Sequence, residues 1–204
     1  MIKDASNMST NRREQLLDTA VRLFYRQGSH VTGIDRLLAE AGVAKMTLYK
    51  HFKSKDDLIV AAAARMHDQH WARITAYLEA HGDTPRARLL ALFDFFETWV
   101  QGTDFHGCPF VKLSVEHPAP DHPAHRAAAH YKAQQQAYFL GLAQEAGLPD
   151  PVAFTAHYML LVEGAVVLAY VTGQPDPIRT ARQAVLALLD RVGVTDAGSA
   201  VATH

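Results

Sequence analysis

Residues 32–55, TGIDRLLAEAGVAKMTLYKHFKSK, leave the chain fewer conformational choices than any other stretch. Ile34, Leu37, Leu38 and Ala41 recur at helical spacing, and Thr32 with Asp35 three residues on reads as a capping box, so a helix is predicted from Thr32. Gly42 follows Ala41, and a glycine there takes the left-handed conformation that ends a helix and turns the chain over residues 42–44. Beyond the turn, Val43, Leu48 and Phe52 are the apolar anchors of a second short helix. Its other faces carry Lys45, Met46, Thr47, Tyr49, Lys50 and His51. Ser54 with Asp57 opens a further helix, placing Lys55 in its first turn, where free backbone N–H groups also suit a phosphate.

Two short helices about a glycine turn, the second polar, aromatic and basic on its outer face, have the shape of an element that enters a DNA major groove. Lys, Thr, Tyr and His donate to phosphate oxygens, and such positioning contacts precede any reading of bases. Thr32, Thr47, Tyr49, His51 and Lys55 are the expected phosphate contacts, and Lys45, Met46 and Lys50 the side chains aimed at bases. Charge agrees. Residues 1–55 carry ten Lys/Arg against five Asp/Glu, while residues 56–204 carry ten against sixteen, so a chain of net charge −1 has one basic end. A helical hairpin that only packs would not need that asymmetry.

Residues 28–58 resemble the DNA-binding domain of the TetR family of bacterial transcriptional repressors. The resemblance rests on Ala41, Gly42, Val43, then Thr47, Leu48, Tyr49, then His51, Phe52, then Ser54, Lys55, spaced without a gap. It departs at Ala44, where a serine is common, and at Met46, where a glycine is common. Loss of the serine oxygen should weaken the cap of the recognition helix by about 1 kcal/mol. Met46 is left to touch a thymine methyl or a sugar. The resemblance implies an all-α homodimer acting on double-stranded DNA with a palindromic operator, in which a three-helix, helix-turn-helix DNA-binding domain (residues 1–55) precedes a helical effector-binding and dimerisation domain (residues 56–204).

About nine helices are expected. Residues 1–10 read as a polar arm, and Asn11 with Glu14 starts the first helix, which ends at Gly28. A long helix without proline runs from Lys55 to His81, and Thr84 with Pro85 opens the next, ending at Gly102. A short helix is expected around residues 110–115 and a longer one over 123–146. Asp150 with Pro151, and Asp176 with Pro177, cap the last two. The helix after Pro151 is apolar nearly all round. His157 and Glu163 interrupt it, which argues against a membrane span and for burial on both sides, against its own core and a second subunit. Val162, Val166, Tyr170, Val185, Leu188 and Leu189 are the expected dimer contacts, in a four-helix bundle.

An apolar or aromatic small-molecule effector is the expected second partner. Its candidate pocket residues are the aromatics Phe93, Phe96, Trp99, Phe110, Tyr131, Tyr138 and Tyr158 and the polar residues His130, Gln134, His157 and Glu163, each on an otherwise apolar helix. Phe and Tyr at helical spacing also suit a plain core. A single cysteine, Cys108, excludes an internal disulfide and fits a reducing cytoplasm, as does the lack of a leader-like start. Gly107, Cys108, Pro109 and Phe110 resemble a motif of one subgroup of these regulators. Two other readings stay open: a metal- or redox-responsive regulator using Cys108 or the run Glu116, His117, His122, His125 and His130, and a small enzyme pairing Cys108 with His117. No catalytic constellation, metal or cofactor is expected.

Overall fold

The computed structural model describes residues 2–193, with side chains from Asn11 onward. All elements among these are helices: α1 (Ile2–Gln27), α2 (Ile34–Ala41), α3 (Lys45–His51), α4 (Lys55–His81), α5 (Pro85–Gln101), α6 (Pro109–Glu116), α7 (Pro123–Glu145), α8 (Pro151–Thr172) and α9 (Asp176–Arg191). The first departure from expectation is α1, which begins at Ile2 instead of Asn11. Residues 2–10 contain neither Gly nor Pro, so nothing stops the helix from running back through them. The arm's side chains, Lys3 included, lie outside the described residues.

The chain forms two compact units. Unit 1 comprises residues 1–69 and 109–131, and unit 2 residues 70–108 and 132–204. The division differs from one at residue 55, for a physical reason. The first half of α4 packs into unit 1 through Leu58, Ile59, Ala62 and Ala63, all fully buried, and Arg65 pairs there with Glu14 and, at 2.8 Å, with Asp18 of α1. Unit 1 also takes in α6 and the start of α7.

In unit 1, α2 ends as the sequence demands. Gly42 sits at φ 64°, its N–H reaches Ala39 O, and the Val43 N–H reaches Leu38 O, the pair of bonds that closes a helix through a left-handed residue. Val43 and Leu38 are both buried, completing the closure with an apolar contact. The start of α2 differs from expectation. Gly33 holds the N-cap position without a side-chain bond, and Thr32, 1% exposed, turns its hydroxyl back to Gly28 O at 2.6 Å. The predicted cap of α4 forms: Ser54 Oγ accepts from Asp57 N at 3.0 Å, and Asp57 accepts from Lys53 N at 3.1 Å.

Ala44 holds the N-cap position of α3 and offers it no side-chain bond. Ala44→Ser should therefore stabilise unit 1 by about 1 kcal/mol, read as a shift in denaturant midpoint at unchanged slope. A midpoint that stays put would mean that the first amides of α3 are already satisfied by water.

Unit 2 is built on α5, α8, α9 and the later parts of α4 and α7. Tyr158, fully buried on α8, is ringed by Phe93, Phe139 and Phe154 and donates its hydroxyl to Leu89 O at 2.8 Å. Burial holds that phenol well above its usual pKa. Thr84 and Asp150 cap α5 and α8 as expected, accepting from Ala87 N and Ala153 N. Asp176 does not cap α9. It lies inside the helix behind Pro175 and pairs with Arg179 at 3.1 Å.

Candidate nucleic-acid interface

The recognition face begins with what α3 buries. Leu48 is 0% exposed, and Phe52 and Val43 are buried on either side of it. At about 100° per residue, Met46 and Lys50 then fall about 160° and 200° around α3 from Leu48. They are the two positions most directly opposed to the core. Lys45, Met46, Tyr49 and Lys50 are exposed, while Thr47, His51 and Lys55 are half-buried beside them. Seven of the eight expected DNA contacts thus lie at the surface on α3 or in the first turn of α4. Thr32 does not: its hydroxyl is buried and spent on Gly28 O, so it shapes the approach to α2 and has nothing left to offer a phosphate.

The basic side chains around this face are partly held in place. Lys55 Nζ donates to His30 O at 3.4 Å, and the Arg13 guanidinium lies 5.3 Å over the Phe52 ring. On α2, Arg36 meets Glu40 at 3.0 Å, and Arg22 meets the same carboxylate at 2.9 Å. Hydrogen bonds from Arg36 first and Arg22 second hold Glu40 below its usual pKa, so it stays ionised and offsets these two cations.

Behind the interface lies a junction that the sequence pattern did not disclose. Glu116, the last residue of α6, accepts from Ser29 N at 2.7 Å, from Ser29 Oγ at 2.5 Å and from His30 N at 3.2 Å. His117 Nε2 lies 2.9 Å from the same Ser29 Oγ, and its ring stacks on His122 at 4.4 Å. His122 also faces Asp56 at 3.4 Å, and His125 Nδ1 meets His117 O. Glu116, His117, His122 and His125 are thus engaged in holding α6 and its following loop, while His130 stands exposed on α7, and among the described residues no group of three His, Cys, Asp or Glu converges as a metal site. A glutamate one residue before a histidine gives no sign in sequence that it will reach back across 87 positions.

The candidate effector residues separate. Phe110, His130 and Tyr131 belong to unit 1, where Tyr131 stacks on His67 at 4.3 Å and His130 is exposed. In unit 2, Phe93, Phe96 and Tyr158 are core, and Trp99 and Tyr138 are half-buried, Trp99 against His70 at 4.8 Å and Tyr138 against Trp71 at 5.0 Å. Gln134 and His157 are exposed, contrary to expectation. Their neighbours Gln135 and Tyr158 face inward, since a step of one residue turns a helix by about 100°. Glu163 pairs with Lys132 Nζ at 2.5 Å. Burial pulls the Lys132 ammonium down, but Cys108 and Glu163 beside it outweigh burial and leave it above its usual pKa. Cys108 is thus a neighbour of Lys132 within unit 2, whereas His117 belongs to unit 1 and meets Ser29 there.

The expected dimer contacts also need correction. Val162, Val166, Val185 and Leu189 are buried within the subunit's own core and Leu188 is half-buried; of the six only Tyr170 is exposed. The outward large apolar residues of α8 are Val152 in its first turn and, further along, Leu160, Val167, Leu168, Tyr170 and Val171. Beside them, Leu160, Leu161, Gly164 and Leu168 with Pro177, Thr180 and Ala184 of α9 line an apolar groove of about 600 Å³.

A helix-turn-helix unit with a basic recognition face, joined to a second helical unit, defines a DNA-binding regulator. Residues 16–65 match the family described as "Bacterial regulatory proteins, tetR family", and residues 85–185 match "Tetracyclin repressor-like, C-terminal domain". The crystal structure of SCO4454, a TetR-family transcriptional regulator from Streptomyces coelicolor, superposes with a TM-score of 0.82 at 33% identity, covering 90% of this chain and 96% of that one. Among curated proteins, the transcriptional activator FasR of Mycolicibacterium smegmatis is 38% identical over 45% of this chain and 43% of its own length. The regulator LmrA of Bacillus subtilis is 28% identical over 81% of this chain and 90% of its own. The chain belongs to the TetR family of helix-turn-helix transcriptional regulators, a family of DNA-binding proteins and not of enzymes.

Proposed function

We propose that this chain is a one-component repressor that works in the cytoplasm as a homodimer, seating one α3 per subunit in successive major grooves of a two-fold symmetric operator. The observation that carries this reading is the face of α3, where Lys45, Met46, Tyr49 and Lys50 stand exposed over a fully buried Leu48. Half-sites one helical turn apart, about 34–36 Å, follow from the geometry of paired recognition helices. The phosphate contacts are Thr47, Tyr49, His51 and Lys55, and the base-facing residues Lys45, Met46 and Lys50. Lys55→Ala should weaken binding to every duplex alike and reduce the salt dependence by about one unit of slope, because one phosphate-bound cation is lost. An unchanged slope would remove Lys55 from the contacts.

The second subunit meets the apolar face of α8 and its groove with α9. An exposed patch of that kind on a helix that is apolar all round is what a symmetric interface supplies. The effector is an apolar or aromatic molecule received among the unit 2 aromatics, with Trp99 and Tyr138 as the half-buried members of the set. It releases the operator only by binding the released form more tightly, acting through α4, an unbroken helix that contributes to both units. A panel of aromatic compounds should contain some that lower operator affinity, and indifference to all of them would count against an inducible repressor.

A further inference from the structure

We infer that Met46 reads the 5-methyl group of a thymine, so that each half-site of the operator contains one thymine whose methyl is required. This deepens the operator reading above and rests on it. Three observations converge. Met46 is 84% exposed, more than any other large apolar side chain described. It stands about 160° around α3 from the buried Leu48, so a surface into which α3 is laid meets Met46 and Lys50 first. And the side chains around it are cations and hydrogen-bond donors, Lys45, Tyr49 and Lys50, which match a polyanion and leave Met46 as the one fully apolar member of the outward face.

A long apolar side chain at the centre of a polar face gains nothing from phosphates. Its thioether is a feeble acceptor and its methylenes carry no donor. On the base edges of the major groove the only apolar group is the C5-methyl of thymine, and an apolar side chain is its natural partner. Methionine suits the task because three rotatable bonds let it settle against a small target whose depth differs from site to site. Lys50, one turn along the same strip, supplies the hydrogen-bonding half of the reading, with guanine O6 and N7 as acceptors.

Replacing thymine by deoxyuridine deletes this methyl and nothing else, while base pairing is kept. The full-length protein is first used to select duplexes from a random pool, and each thymine of the selected site is then replaced singly by deoxyuridine. One thymine per half-site should show a loss of about fourfold in affinity, the value of one buried carbon, and about fifteenfold when both half-sites are changed. Met46→Gln keeps length and helix propensity but removes the apolar end; it should bind thymine and deoxyuridine sites equally. Met46→Leu should keep the discrimination, which separates loss of the contact from damage to the fold. If the selected site binds tightly and every deoxyuridine is neutral, or if the discrimination survives in Met46→Gln, the inference is overturned while the operator reading stands. A pool from which no duplex is enriched overturns both.

Discussion

Leu168→Glu is expected to leave the subunit helical and to lower operator affinity by a factor of about 10² or more. Leu168 is 53% exposed on the isolated subunit, so exchanging it for a charge removes little of the subunit's own core. In a two-fold interface the same residue is presented by both partners, and the substitution places two carboxylates in one apolar seam. Desolvating even one unpaired carboxylate costs several kcal/mol, which is enough to separate the subunits at micromolar concentration. A single recognition helix then meets a single half-site, and the gain from tethering two such readers, about 10²- to 10⁴-fold, disappears. Sedimentation should show a monomer with an unchanged circular-dichroism spectrum. A variant that sediments as a dimer and holds its operator would place the interface somewhere other than the outward face of α8.

The residues on which this prediction turns also mark where sequence stops being informative. The helix boundaries were legible because they are set by local chemistry: Thr84 before Pro85, Asp150 before Pro151 and Gly42 after Ala41 each act within a few residues. The outward face of α3 was legible for a related reason, since Leu48 is the one strongly apolar position between two lysines and a methionine. Helix α8 is different. Tyr158, Val162, Ala165, Val166 and Ala169 form its buried side and Leu160, Val167, Leu168 and Val171 its open side, yet both sides are apolar. A helix without a polar face has no phase, so its sequence does not tell that Val162 and Val166 belong to the core and not to the open side. On α7 the difficulty is the reverse, because Gln134, Gln135 and Gln136 form a polar run with no apolar residue to mark which of them faces inward, and Gln135 is the buried one. Thr32 failed otherwise: its local pattern was right for a cap, but the chain bends at Gly28 so that Gly28 O comes within reach of the hydroxyl first.

Glu116→Ala is expected to destabilise the DNA-binding unit by about 3 kcal/mol and to weaken operator binding with it. One carboxylate receives three hydrogen bonds from Ser29 and His30, the residues that carry the chain from α1 towards α2. Ser29 is buried, so its N–H and hydroxyl would be left without the charged acceptor in a place water reaches poorly. Gly28 sits at φ 96°, and a Cβ there would come within 1.8 Å of Glu116 Oε1, which shows how closely the carboxylate is pressed into the turn. Charge-assisted bonds contribute about 1.5–3 kcal/mol each when intact, and partial solvent access at His30 reduces the sum. Glu116→Gln keeps one acceptor oxygen and should lose about 1 kcal/mol. The neighbouring His117 adds a pH dependence of known sign. Burial first, and the adjacent His122 second, hold its pKa below the ordinary histidine value, against the opposing pull of Glu116 and Asp56 and with a small further push from His30. The folded state therefore resists a proton that the unfolded chain accepts. Stability is present in full above the unfolded histidine value, about 6.5, and falls as the pH drops through the folded one. Denaturant unfolding between pH 8 and pH 5 should show that decline, His117→Gln should flatten it, and Glu116→Ala should lower the whole curve. A curve for Glu116→Ala that overlays the unaltered protein would mean that α6 rests beside the α1 turn without holding it.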